Sequence, residues 1–291
     1  MRHLLSIEDL DRSTMERILD RAKSFTEVSE REIKKVPALR GRRVLNLFWE
    51  ASTRTRSSFE LAAKALSADV VNLSSSGSAI EKGESLKDTV QTLSAYRPDL
   101  IVIRTPHVGA AHLVARWTDA GVVNAGDGKH EHPTQALLDV YALRDRIGSL
   151  EGANIWIVGD VLHSRVARSN IHAFSAMGAK VTVCGPPTLI PRGMESLGCE
   201  VQYTLDSTRN WKVAITHPPR IPTKSATTVS TGHISVPARI RGTTNLRTGS
   251  ARSTARTSGS SATSCTRAWR ARASTPSTCW APRSPSAGRR R

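Results

Sequence analysis

The chain has 291 residues, 38% of them hydrophobic, enough for one or two domains with cores of their own. All 25 Asp and Glu lie at or before Asp206 together with 26 of the 42 Lys and Arg, so residues 1–206 are close to neutral and +16 of the net charge of +17 resides in the tail. That distribution excludes reading the whole protein as a nucleic-acid binder, and no apolar run reaches the roughly 18 residues of a membrane span.

Acids follow directly on the short apolar start of MRHLLSIEDLD, which is not the pattern of a secretory leader, and a cytoplasmic protein is expected. Ser6 followed by IEDL, with Ile7, Leu10, Met15, Ile18 and Leu19 on one face, reads as a capped amphipathic helix. Short apolar runs then recur at 44–49, 70–73, 100–103, 122–125, 155–158 and 181–184, each a strand candidate. Helical patterns fill the gaps at 53–66, 85–96, 110–118, 134–146 and 164–176. Such alternation predicts an α/β chain with two doubly wound parallel-sheet domains, the first over 1–145 and a partial second over 146–206. From Ser207 to Arg291 Ser, Thr, Arg, Pro, Gly and Ala dominate and periodicity vanishes, so this basic segment reads as disordered. Only WKVAI, 211–215, has the look of a strand there. Cys184, Cys199, Cys265 and Cys279 show no C-x-x-C spacing and read as buried or free thiols, not as a zinc site or a disulfide framework.

Five segments carry chemistry. In FWEASTRTRSSFE, 48–60, a strand runs into a helix N-terminus, where backbone N–H groups and the macrodipole favour an anion. Ser52, Thr53 and Thr55 add hydroxyls and Arg54 a planar fork suited to phosphate oxygens; capping hydroxyls beside solvated arginines are the plainer alternative. SGSAIEKGESLKDT, 76–89, is a loop that carries Ser78 and Lys82 into a capped helix, and taken alone it is a surface loop. Arg104 ends the strand LIVIR, at the edge where parallel sheets bind ligands. NAGDGKHEHPTQALLD, 124–139, turns at Gly-Asp-Gly and enters a helix through His132, Pro133, Thr134 and Gln135. VGDVLHSRVARSN, 158–170, is strand, turn and helix bearing Arg165, which in isolation is a solvated helix charge.

Together these segments, in this order from about Ser6 to about Leu205, resemble the aspartate and ornithine carbamoyltransferases, and Glu50 and KGESLKDT lean toward the aspartate branch. The resemblance implies transfer of the carbamoyl group of carbamoyl phosphate to the amine of L-aspartate, with no metal and no organic cofactor. It implies phosphate binding by Ser52, Thr53, Arg54 and Thr55, and oxyanion stabilisation by Thr55, Arg104 and His132. It further implies that Gln135 holds the amino group, that Arg165 binds an aspartate carboxylate, and that Ser78 and Lys82 reach in from a neighbouring subunit of a homotrimer, with regulatory chains an open question. At Arg104-Thr105-Pro106-His107 the chain departs from the Arg-His of the family pattern.

The resemblance stops near Asp206. The Arg-x-Gln and His-Pro-Gly-Pro segments of the family are absent in frame, and Thr216-His217-Pro218-Pro219 is a superficial echo. A shifted reading frame accounts for an acid-free, Arg-rich tail. Ser264-Cys265-Thr266-Arg267-Ala268 can be written TCA TGC ACC CGG GCC, which from the third base reads Met-His-Pro-Gly. The alternatives are a family member that binds but does not catalyse, and a tail acquired for nucleic acid, for which isolated Trp269 and Trp280 provide no stacking pattern.

Overall fold

The computed structural model describes residues 1–74, 83–204, 213–217 and 233–235. Ser78, Lys82, Cys265, Cys279, the codon-shift segment and most of the stretch expected to be disordered lie outside the described residues.

Two sheets dominate. The first joins β1 (Arg43–Phe48), β2 (Asp69–Ser74), β3 (Leu100–Thr105) and β4 (Gly121–Asp127), all parallel, in the order β2-β1-β3-β4. Its crossovers run through α2 (Thr53–Ala65), α3 (Leu86–Ser94) and α4 (Ala110–Trp117). Period-2 alternation along β1 sends Leu45 and Leu47 to one face, with Val90, Leu93 and Val114, and Val44 and Phe48 to the other, with Ala63 and Ala125. Helices therefore cover both faces, as parallel sheets require.

After α5 (Pro133–Ile147) comes the second sheet, of β5 (Asn154–Gly159), β6 (Lys180–Cys184), β7 (Glu200–Gln202), β8 (Val213–His217) and β9 (His233–Ser235), in the order β7-β6-β5-β8-β9. α6 (Arg165–Ala176) connects β5 to β6. In both sheets the order reverses beside one strand, at β1/β3 and at β5/β8, and ligands of open parallel sheets bind at such switch points.

Three expectations need correction. The first helix, α1, spans Arg12–Glu30 and is capped by Asp11, whose carboxylate accepts from the backbone N–H of Thr14 at 2.9 Å. Ser6 lies ahead of the helix; its hydroxyl accepts from the backbone N–H of Glu8 at 3.1 Å and donates to the buried carboxylate of Glu131, 125 residues away. The second sheet also extends past residue 206, because β8 pairs with β5 in parallel with Ile215 buried in its core, and β9, inside the segment expected to be disordered, pairs antiparallel with β8. The three-residue β7 has no counterpart among the predicted strands.

The first 30 residues serve both sheets. Leu4 bonds alongside β4, its N–H donating to Val122 O and its carbonyl accepting from Asn124 N, both at 2.8 Å. Ile7, Leu10, Met15 and Leu19 instead enter the core shared by α5, β5, β6 and α6. Cys184 and Cys199 are free and buried, and burial pushes both thiols up to about 11. Among the described residues no helix is long and apolar enough to cross a membrane.

Candidate functional site

The turn after β1 is tied down by the end of β3, where Arg104 O accepts from Trp49 N at 2.8 Å. Opposite Arg104 the register between β3 and β4 slips. Ile103 faces Asn124 and Thr105 faces Asp127, so Ala125 and Gly126 together oppose one residue. This is a bulge, a device that re-aims a side chain at a strand end. Gly126 takes a φ of +118°, and a Cβ there would lie 3.0 Å from Arg165 Nη1 and 3.4 Å from Arg104 Nη1. Absence of a side chain at Gly126 lets two guanidinium groups approach the same backbone.

Both forks converge on Glu50. Arg104 Nη2 donates to Glu50 Oε1 at 2.8 Å, and Arg165 Nη2 donates to Oε1 and Oε2 at 2.6 and 2.7 Å. The other terminal nitrogen of Arg104 donates to Ala125 O at 3.2 Å and to Thr55 Oγ1 at 3.4 Å. The two arginine side chains are 11% and 8% exposed, whereas that of Glu50 is 24% exposed, so the carboxylate is the open side of the cluster. Arg165 Nη1 is buried without a hydrogen-bond partner. Burial works to raise the Glu50 carboxyl. The Arg165 hydrogen bonds and the charges of Arg104 and Arg165 outweigh it and hold the group below the usual carboxylate range. The cluster joins the β1 turn, the end of β3 and the start of α6.

At the start of α2, Ser52 occupies the N-cap position but makes no capping bond; its hydroxyl donates to Thr55 Oγ1 at 2.9 Å. The capping alternative therefore does not hold for Ser52. Thr55 connects this turn to Arg104, whereas Thr53 and Arg54 are exposed on the first turn of α2. Ser78 and Lys82 lie outside the described residues.

His132 is buried at the N-cap of α5. Its backbone N–H donates to Ser169 Oγ at 2.8 Å, and its Nδ1 lies 3.2 Å from Thr134 Oγ1. Burial, then the charges of Arg104 and Arg165, with Glu50 opposing, lower its pKa to about 3. The imidazole is neutral at physiological pH and can present an N–H without carrying charge. One turn on, Gln135 Nε2 donates to Asp139 Oδ1 at 2.9 Å.

Several supporting residues are not visible in the sequence pattern. Glu50 stands out there only as a branch marker, not as the carboxylate between two arginines. Glu131 accepts from Ser6 Oγ, from Ile7 N at 2.7 Å and from Ser169 Oγ at 3.3 Å, fixing the residue before His132. Asp139 accepts from Asn170 Nδ2 at 2.8 Å as well as from Gln135. The i, i+4 spacing of Gln135 and Asp139 on a helix is a signal that could have found that pair; the contacts of Glu131 and Ser169 span distances that no local pattern encodes.

What the arrangement offers chemically is a pair of cationic forks, a cluster of hydroxyls at a helix start and a neutral imidazole, the equipment for binding an anionic acyl donor and stabilising an oxyanion. Among the described residues no group of three or more His, Cys, Asp and Glu is placed to hold a metal ion.

Residues 2–145 match the family model described as "Aspartate/ornithine carbamoyltransferase, carbamoyl-P binding domain". The chain is 59% identical over 210 residues to the aspartate carbamoyltransferase catalytic subunit of Salinispora arenicola, covering 71% of this chain and 68% of that protein. It is 56% identical over 206 residues to that of Thermobifida fusca, covering 71% and 66%. The chain thus spans about two thirds of the length of these relatives. Among solved structures it is similar to aspartate transcarbamoylase from Trypanosoma cruzi in complex with carbamoyl aspartate and phosphate, with a TM-score of 0.67, 29% identity and 74% of each chain covered. The catalytic subunit of M. jannaschii aspartate transcarbamoylase gives a TM-score of 0.66 at 32% identity, covering 75% of this chain and 74% of that one.

Proposed function

The chain belongs to the aspartate/ornithine carbamoyltransferase family, and from that premise we propose that its reaction is transfer of the carbamoyl group of carbamoyl phosphate to L-aspartate, giving N-carbamoyl-L-aspartate and phosphate. The observation that carries this reading is the convergence of Arg104 and Arg165 on one carboxylate beside a neutral His132. Glu50 stands where the carboxylate or phosphate of a substrate would be gripped.

The aspartate amine attacks the carbonyl carbon, its electrons displacing the C=O π pair onto oxygen. Collapse of the tetrahedral intermediate then expels phosphate, which takes up the amine proton as the C–O bond breaks. Arg104, Thr55 and the His132 N–H stabilise the oxyanion, while Ser52, Thr53, Arg54 and Thr55 at the α2 N-terminus hold the departing phosphate. Gln135 receives the carbamoyl amino group and Arg165 an aspartate carboxylate. Positioning two anionic substrates against fixed cations supplies several kcal/mol of the barrier lowering by proximity alone.

In this assignment residues 1–145 form the carbamoyl phosphate side and residues 146–206 the aspartate side. A cytoplasmic homotrimer completes each site with Ser78 and Lys82 of a neighbouring copy. Sedimentation analysis tests the trimer, and a monodisperse monomer would rule out shared sites.

A second reading has its own observation: the sequence lacks the Arg-x-Gln and His-Pro-Gly-Pro segments in frame, so the chain would bind without catalysing. Formation of carbamoyl aspartate by the purified chain, with Arg54→Ala as control and L-ornithine as competing acceptor, separates the two. N-(phosphonacetyl)-L-aspartate, bound by the Trypanosoma cruzi relative, would bind an active chain tightly and an inactive one weakly.

A further inference from the structure

Gln135 and Asp139 sit one turn apart on α5, Gln135 half-buried and Asp139 buried, and Asn170 meets Asp139 from α6. A primary amide can be placed either way round, and its hydrogen-bond network decides which end is which. Here the decision is sharp. An ionised carboxylate only accepts, so both amides that touch Asp139 must turn their NH2 groups toward it. Gln135 Nε2 is 2.9 Å from Oδ1 and Asn170 Nδ2 is 2.8 Å from Oδ2, one donor for each oxygen. With Nε2 committed, the end of the Gln135 amide turned away from Asp139 is its carbonyl oxygen.

We propose that Asp139 is a positioning residue that sets the polarity of Gln135, so that the site receives an acceptor oxygen and not an NH2 group. The inference rests on the proposed role of Gln135 toward the carbamoyl amino group. That group offers two N–H donors and, with its lone pair delocalised into the carbonyl, little capacity to accept. A reversed Gln135 would set donor against donor, losing one hydrogen bond and opposing two dipoles. Asp139 is 9% exposed and lies among α5 and α6 side chains, so solvent offers its carboxylate little in place of the two amides. Burial raises its carboxyl pKa, while the hydrogen bonds from Asn170 and Gln135 work to lower it and favour the acceptor form on which the polarity depends.

The test is Asp139→Asn, which keeps the shape but brings one donor and one acceptor to two amides that both donate. The substituted side chain can satisfy only one of them as before, and Gln135 becomes free to invert. Binding of carbamoyl phosphate and, separately, of inorganic phosphate is measured by calorimetry on the full chain and on the variant. Inorganic phosphate has no amide and is the internal control. The expected result is carbamoyl phosphate bound about tenfold more weakly, the loss of one hydrogen bond, with inorganic phosphate affinity unchanged. In a Gln135→Ala background the same substitution should then have no further effect.

Equal weakening of both ligands would assign Asp139 a general packing role and overturn the inference, as would unchanged carbamoyl phosphate affinity. Failure of the unaltered chain to bind even inorganic phosphate would overturn the proposed site itself, and the polarity argument with it.

Discussion

Acid should destabilise the fold through His132 in a way that can be worked out from its surroundings. Its ordinary pKa of 6.5 falls to about 3 in the folded chain, first by burial and then by repulsion from Arg104 and Arg165. The unfolded chain takes up a proton as pH drops through about 6.5, while the folded protein refuses it until about 3. Stability from this group is therefore complete above the upper value and is lost progressively as pH falls through the window, at about 1.4 kcal/mol per pH unit. Carboxylates titrate in the same range, so the comparison needs a variant that lacks the imidazole. Urea unfolding of the unaltered chain and of His132→Gln, repeated between about pH 7 and pH 4, isolates the contribution. The difference in unfolding free energy should move in favour of the variant by about 1.4 kcal/mol for each unit below about pH 6. A difference that stays constant with pH would refute the argument, because it would mean that His132 titrates alike in the folded and unfolded states.

Glu50→Gln leaves Arg104 and Arg165 facing one another without their shared anion, and thermal unfolding should report a loss of about 2 kcal/mol, below the range for a fully buried pair because Glu50 is partly exposed. Added phosphate or malonate should raise the midpoint of this variant more than that of the unaltered chain, since the ligand takes the place of the missing carboxylate. Gly126→Ala places a Cβ 3.0 Å from Arg165 Nη1 at a φ that L-residues rarely adopt. It should cost about 1–3 kcal/mol in denaturant unfolding and weaken succinate binding by displacing Arg165, and unchanged values in both assays would mean that the bulge is not needed to aim the arginine.

Much of this architecture was legible in the chain. Strands such as Leu100–Thr105 are short apolar runs between turn signals, and helices such as Pro133–Ile147 begin at Pro and stop at Gly148. Arg104 could be placed at a strand end, and Arg165 at a helix start, from pattern alone. Pairing between the two could not. That Glu50 would hold both, or that Ser6 would donate to Glu131, depends on where separate elements dock, and no window of residues contains that information. Thr53 and Arg54 show the converse, with a strong local motif whose side chains remain exposed on the first turn of α2. β9 was missed because three residues in a basic, low-periodicity stretch give no signal apart from the strand they pair with.

The dual attachment of the first 30 residues sets the order in which the molecule can be completed. Leu4 docks on β4, and the Ile7 N–H meets Glu131 at a sequence separation of 124. Met15 and Leu19 pack in a core whose other members extend to Val183 and beyond. During synthesis the N-terminal segment leaves the ribosome first yet finds its first partners, in β4 and at Glu131, only after more than a hundred residues have followed. Contacts so distant in sequence make for slow folding, and the apolar stripe of α1 stays uncovered while it waits. A chain halted before β5 would carry that stripe as a lasting invitation to aggregate or to engage a chaperone.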